Sequence, residues 1–287
     1  MIRQTPDRNP ALPGCPNGHP GVIFTKKDNG MKKILCIGNS FGDDSQRYLW
    51  GVARADGKEI KCVNLFIGGC SLYRHYRNML SEEEVYNFAI NGHRTDLMVS
   101  LKHALLMDEW DVIYTQQCSP HSGEPETYQP YANALAEYVH KMAPKAKLYI
   151  MQTWTFERET PRFKLTSFTE PEPHFAAIKD CYWQMFDDIK ADGMFPCGEA
   201  MYTMWERKAQ YGIEKVHRDG FHAELGLGRY LLALTVWGML SGKDVRENTF
   251  DDFDVEVTPE TAQHCREVAA ETVEKYRPLV AERIAAR

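Results

Sequence analysis

Lys33-Ile34-Leu35-Cys36-Ile37-Gly38-Asn39-Ser40-Phe41-Gly42-Asp43-Asp44 is the stretch that decides the fold. Its unbroken apolar run reads as a strand buried on both faces, which enters a Gly-Asn-Ser turn and then a helix expected to begin near Asp44. Ser40 therefore falls where a strand ends and a helix starts. Backbone N–H groups of such a turn, together with the positive end of the helix, favour any negative charge that develops there. A serine so placed is suited to attack an ester carbonyl. A strand followed by a glycine turn also opens most α/β domains, so the rest of the chain has to separate the two readings.

Outward from this stretch, strands and helices alternate. Further strands are expected at 59–66, 111–115 and 147–152, with a short one at Phe195-Pro196-Cys197. Residues 85–90 followed by Asn91-Gly92 predict a hairpin with a tight turn. Leu97, Leu101, Ala104 and Leu105 then mark a helix, and others are expected at 131–142, 175–189, 201–210 and 225–240. Thr258-Pro259 is a good helix start. This order implies an α/β fold of three layers, α/β/α, with a flavodoxin-like parallel sheet of about five strands. Residues 1–30, rich in proline, read as an N-terminal extension, and 31–287 as a single domain with a C-terminal helix. Residues 157–173 read as a long loop near the mouth of a site.

Ligands of such sheets bind at the carboxyl ends of the strands, where strand order reverses. Ser40, Gly69, Gln116, Gln117 and Trp154 all fall at such ends. That coincidence is worth more than any one of them.

Composition narrows the classes of function. The 287 residues are 43% hydrophobic and 26% charged, with a net charge of -6 and no basic run able to track a phosphate backbone. No nucleic-acid partner is expected. No apolar leader is visible and the run 225–240 is broken by Arg229, so neither a membrane anchor nor a span is expected and the chain reads as cytoplasmic. The eight cysteines form no C-x-x-C pair and read as reduced core residues. Cys15 with His19 would be half a zinc site, but no second pair follows, so no metal or other cofactor is expected.

Acyl transfer needs a nucleophile, a base, a group that orients the base and donors for the oxyanion. Of ten histidines, His222 stands out because Asp219 precedes it by three residues. A helical turn would put both on one face, within reach of a carboxylate-to-imidazole hydrogen bond. The plainer alternative is that Asp219 caps a following helix. Asp43-Asp44 could bind a cation, but a helix start accounts for them better.

Gly38-Asn39-Ser40 after the first strand, Gly69 after the second, a side-chain amide after the third and Asp219-x-x-His222 near the end resemble the four blocks of the SGNH (GDSL-like) hydrolases. The fuller strings Ile37-Gly38-Asn39-Ser40-Phe41, Ile67-Gly68-Gly69-Cys70-Ser71-Leu72, Gln116-Gln117 to Ser122-Gly123, Gln152-Thr153-Trp154 and Arg218-Asp219-Gly220-x-His222 are similar to those of a largely uncharacterised bacterial branch of that superfamily. The resemblance implies Ser40 as nucleophile, His222 as base, Asp219 as its orienter, and the N–H groups of Ser40 and Gly69 with one side-chain amide as oxyanion donors. The superfamily commonly offers an asparagine for that amide. Here Gln117 is preferred, with Gln116 and His121 as alternatives.

A serine esterase removing small acyl groups, plausibly acetate from a carbohydrate ester, is the expected function. Trp154 is the aromatic face a sugar could stack on. The alternatives are a lipid or thioester hydrolase of the same superfamily, a non-catalytic flavodoxin-like binding module, and a degenerate esterase that only binds sugars.

Overall fold

The computed structural model describes residues 30–287. The expected extension, apart from Gly30, lies outside them, as do Cys15 and His19. Strands β1 (Lys32–Gly38), β2 (Ile60–Phe66), β3 (Tyr86–Ile90), β4 (His93–Val99), β5 (Val112–Thr115), β6 (Lys147–Met151) and β7 (Gly193–Phe195) form one sheet in the order β4-β3-β2-β1-β5-β6-β7. β2, β1, β5, β6 and β7 run parallel. These are the five strands that the alternation predicts.

The sheet nevertheless has seven strands, because the hairpin β3–β4 adds to its edge in antiparallel sense. Leu97 lies in β4 rather than in a helix. The strand carries His93, Arg94, Thr95 and Asp96 along a mostly exposed sheet edge, where polar residues suppress further pairing and leave no apolar period to read. β7 also ends two residues earlier than expected, at Phe195, since Pro196 has no N–H to continue the ladder.

The helices are α1 (Ser40–Gln46), α2 (Leu49–Ala55), α3 (Leu72–Ser81), α4 (Leu101–Leu106), α5 (Tyr131–Met142), α6 (Pro171–Asp188), α7 (Cys197–Arg207), α8 (Leu227–Ser241) and α9 (Pro259–Ala285). α1, α2, α7 and α9 pack around α8, and α3, α4 and α5 pack together as a separate group. α8 is apolar nearly all round and is buried from Tyr230 to Leu240, as a helix without a polar face must be. Among the described residues no helix is long and apolar enough to cross a membrane.

β1 is central, with β2 on one side and β5 on the other. The chain leaves β1 in one direction and returns on its far side, which opens a crevice at the carboxyl ends of β1, β2 and β5. Close packing there explains two glycines. A Cβ at Gly38 would lie 2.5 Å from Cys36 Sγ, and one at Gly42 2.7 Å from the same atom.

Candidate active site

Ser40 is the first residue of α1, so the helix starts four residues before the expected Asp44. Asn39 is the reason: its side-chain oxygen accepts from the Phe41 N–H at 3.0 Å, the hydrogen bond by which an asparagine caps a helix. The Asn39 amide also donates to Cys70 O at 3.0 Å. One side chain thus ties the end of β1 to the Gly68-Gly69-Cys70 turn after β2.

His222, the candidate base, arrives from the far end of the chain. Residues 217–223 form a tight loop closed by the His217–Ala223 bridge and by the Arg218 N–H donating to His222 O at 3.0 Å. Gly220, at φ +84°, makes the reversal. The helical turn expected to join Asp219 to His222 is therefore a non-helical loop, and the apolar helix begins at Leu227, two residues after the expected 225.

The pairing is nonetheless made. His222 Nδ1 lies 2.7 Å from Asp219 Oδ2, and Asp219 Oδ1 accepts from the His222 N–H at 2.9 Å and the Phe221 N–H at 3.3 Å. With Nδ1–H donating to the carboxylate, Nε2 is the acceptor, and it sits 2.9 Å from Ser40 Oγ. Partial burial works to raise the Asp219 pKa, but hydrogen bonds from His222 outweigh it and hold the carboxyl below its ordinary value.

Ser40, Gly68, Gly69 and His222 line one cavity of about 390 Å³. Gly69 sits at φ +62°, in the left-handed region that a glycine occupies without strain. The first N–H groups of α1 have no intrahelical acceptor, and Ser40 presents one of them beside this turn.

The two glutamines are placed differently from expectation. Gln117 is buried, with Oε1 accepting from the Leu72 and Cys118 N–H groups and Nε2 donating to Thr127 O and Oγ1. Gln116 donates to Asn39 Oδ1 at 3.3 Å from behind. Neither lines the cavity, and His121 does not either. Trp154 is buried as well, stacked on Phe41 with centroids 3.9 Å apart. Its indole N–H donates to Phe221 O at 2.7 Å, so it supports the loop that carries the base instead of offering a face to a ligand.

A family model described as "Domain of unknown function (DUF4886)" matches residues 33–272. The chain belongs to the DUF4886 family. It is similar to a DUF4886 family protein from Bacteroides uniformis ATCC 8492 of known crystal structure, at 27% identity and a TM-score of 0.78, over 85% of this chain and 95% of that one. More distant likenesses are to a protein from Slackia heliotrinireducens assigned to the SGNH hydrolases (18% identity, TM-score 0.49, 72% of this chain and 97% of that one), and to one from Parabacteroides merdae ATCC 43184 assigned as a GDSL-like lipase (16%, 0.49, 75% and 98%). No curated protein matches the chain.

Three arginines line the mouth of this DUF4886 site, Arg94, Arg162 and Arg218; Arg218 falls within the Arg218-Asp219-Gly220-x-His222 string, while no sequence signal marks the other two. The three come from β4, from the loop after β6 and from the base loop, at no common spacing. Arg218, four residues before His222, meets Asp44, four residues after Ser40, with both carboxylate oxygens 3.0 Å from Nη1. Arg229 joins them from α8 at 2.9 Å. Burial pushes the Asp44 carboxyl above its ordinary range, against the pull of these two guanidiniums. Arg94 pairs with Asp43 at 2.5 Å and lies 3.5 Å over the Phe66 ring. Asp43 and Asp44 are thus answered by arginines. Among the described residues no group of three or more His, Cys, Asp or Glu is disposed to hold a metal.

Proposed function

We propose that this protein is a serine esterase of small acyl esters, working through Ser40, His222 and Asp219. The observation that carries the reading is the relay of two hydrogen bonds, 2.9 Å from Ser40 to His222 and 2.7 Å from His222 to Asp219, opening into a cavity.

The steps follow from the geometry. His222 Nε2 takes the Ser40 hydroxyl proton as Oγ bonds to the ester carbonyl carbon, while Asp219 fixes the tautomer and stabilises the imidazolium. The carbonyl oxygen becomes an anion, and in this reading the N–H groups of Ser40 and Gly69, both lining the cavity, receive it. His222 then gives its proton to the leaving alcohol, and water repeats the path to release the acid. The oxyanion hole in this reading rests on backbone donors, since both glutamine amides are engaged elsewhere.

A cavity of about 390 Å³ is at the small end for ligand sites. Its walls mix Phe41, Phe66, Phe221 and Pro120 with three arginines, which favours short acyl groups over the long apolar chain of a lipid or thioester substrate. Sugar stacking on Trp154 is not part of the proposal, because Phe41 covers that ring.

The test is hydrolysis of aryl acetates of increasing chain length, paired with labelling by a fluorophosphonate. Turnover and labelling that both vanish in Ser40→Ala are expected. Wild-type rates in the Ser40→Ala protein would end the proposal, and so would failure of the wild type to label. Nucleotide-induced thermal stabilisation without labelling would favour a binding module instead.

A further inference from the structure

The charge of the cavity wall runs against the charge of the chain. The sequence carries 40 acidic residues against 34 basic ones, yet the cavity that holds Ser40 and His222 is lined by three arginines and by no aspartate or glutamate. Two of those charges are already answered, Arg218 by Asp44 and Arg94 by Asp43. No described carboxylate makes an ion pair with Arg162. Its guanidinium lies 3.8 Å over the ring of Phe221, whose centroid is in turn 3.8 Å from that of His222. A guanidinium stacked in this way keeps its in-plane N–H donors available for a planar or tetrahedral anion.

Arg162 is also held in place. It belongs to the short helical turn Pro161–Leu165, and the segment just before it packs on the base loop. The Glu157 N–H donates to Gly220 O at 2.8 Å, and a Cβ at Gly220 would come within 2.8 Å of Thr160 Oγ1. The loop bearing Arg162 and the loop bearing His222 are therefore joined by a backbone hydrogen bond and by close packing.

Building on the serine-esterase reading, we propose that the substrates are esters carrying a negative charge close to the scissile bond, and that Arg162 binds this charge. One unanswered guanidinium calls for one anionic group, a carboxylate or a phosphate, and it disfavours cationic esters.

Two matched pairs of esters test this with the full chain and tell on which side of the bond the charge sits. An aryl hemisuccinate against the aryl pentanoate places it on the acyl side; 3-acetoxybenzoate against its methyl ester places it on the alcohol side. In at least one pair the anionic member should have a kcat/KM about tenfold higher, the scale of one charge-assisted hydrogen bond. Arg162→Gln should reduce that ratio about tenfold and Arg162→Lys should retain most of it. In the wild type, raising salt to about 0.5 M should lower it. A ratio at or below one in both pairs, or one indifferent to Arg162→Gln and to salt, overturns the inference while Ser40-dependent hydrolysis of the neutral esters leaves the esterase standing. Absence of Ser40-dependent hydrolysis of all four esters would remove the esterase reading and this one with it.

Discussion

His222 Nε2 stands 2.9 Å from Ser40 Oγ although 182 positions of sequence separate the two residues. The sheet closes that distance by bringing the start of α1 and the loop before α8 to the same edge. If the pair works as nucleophile and base, Ser40→Ala and His222→Ala should each lower kcat by roughly 10⁴- to 10⁶-fold. Combining them should cost little more than either alone, because both act in one step. Additive losses measured on an aryl acetate would argue that the two residues do not form a unit.

If Asp219 acts through His222, to which it is hydrogen-bonded, its removal should spare binding and damage turnover. Asp219→Asn should reduce kcat by about 10²- to 10⁴-fold with a KM within a few-fold of wild type, since the amide can reverse the hydrogen bond and impose the wrong tautomer. Asp219→Glu should recover part of the rate. A loss confined to KM would point to a substrate contact instead.

The buried carboxylate of Asp44 serves two guanidiniums. Replacing it by asparagine leaves Arg218 without a carboxylate partner and Arg229 with only Asp254, 3.4 Å away, and a loss on the order of 3–5 kcal/mol is expected in urea unfolding. A change below about 1 kcal/mol would mean that water or another group answers the arginines.

Two buried histidines make stability depend on pH. Burial, with a smaller contribution from Arg74, lowers the His75 pKa from 6.5 to about 3, and burial lowers that of His174 to about 4, against a weaker opposing pull from Glu124. Both rings have an Nε2 with no hydrogen-bond partner, which agrees with a neutral form. The folded chain keeps these rings neutral while the unfolded chain protonates them, so the contribution is complete above pH 6.5 and is lost as the pH falls toward the folded values. Each histidine should add a slope of about 1.4 kcal/mol per pH unit below that point. Unfolding midpoints taken from pH 6.5 to 5 should show it, and His174→Gln should remove about half. An unchanged slope in that variant would refute the assignment.

Much of the fold was legible because parallel strands are buried on both faces and therefore read as short apolar runs ending at turns. β1, β2, β5 and β6 are of this kind. β4 was not legible as a strand, since an edge strand carrying His93, Arg94, Thr95 and Asp96 has neither an apolar run nor a clean alternation. At the site, Ser40, Gly69, Asp219 and His222 could be read from strand ends and a three-residue spacing. The direction of the Gln117 amide could not, because Leu72 and Thr127, 45 and 10 residues away, set it together with the neighbouring Cys118 N–H. Trp154 fell at the right strand end but points inward, where its indole N–H satisfies the Phe221 carbonyl. Arg94 and Arg162 were silent for a similar reason: each stands alone in the sequence until the edge strand β4 and two loops converge.

The contact between Asp44 and Arg218 joins a residue one helical turn past the nucleophile to one just ahead of the base loop's turn. Until residues 216–224 dock, Ser40 lacks its hydrogen bond to His222, and the Asp44 carboxylate lacks the Arg218 charge that partly offsets its removal from water. Half-assembled chains are therefore penalised at the same place where they would be catalytically incompetent. If Ser40 is the nucleophile, competence and completion of the fold arrive together, and this ion pair acts as a checkpoint on assembly.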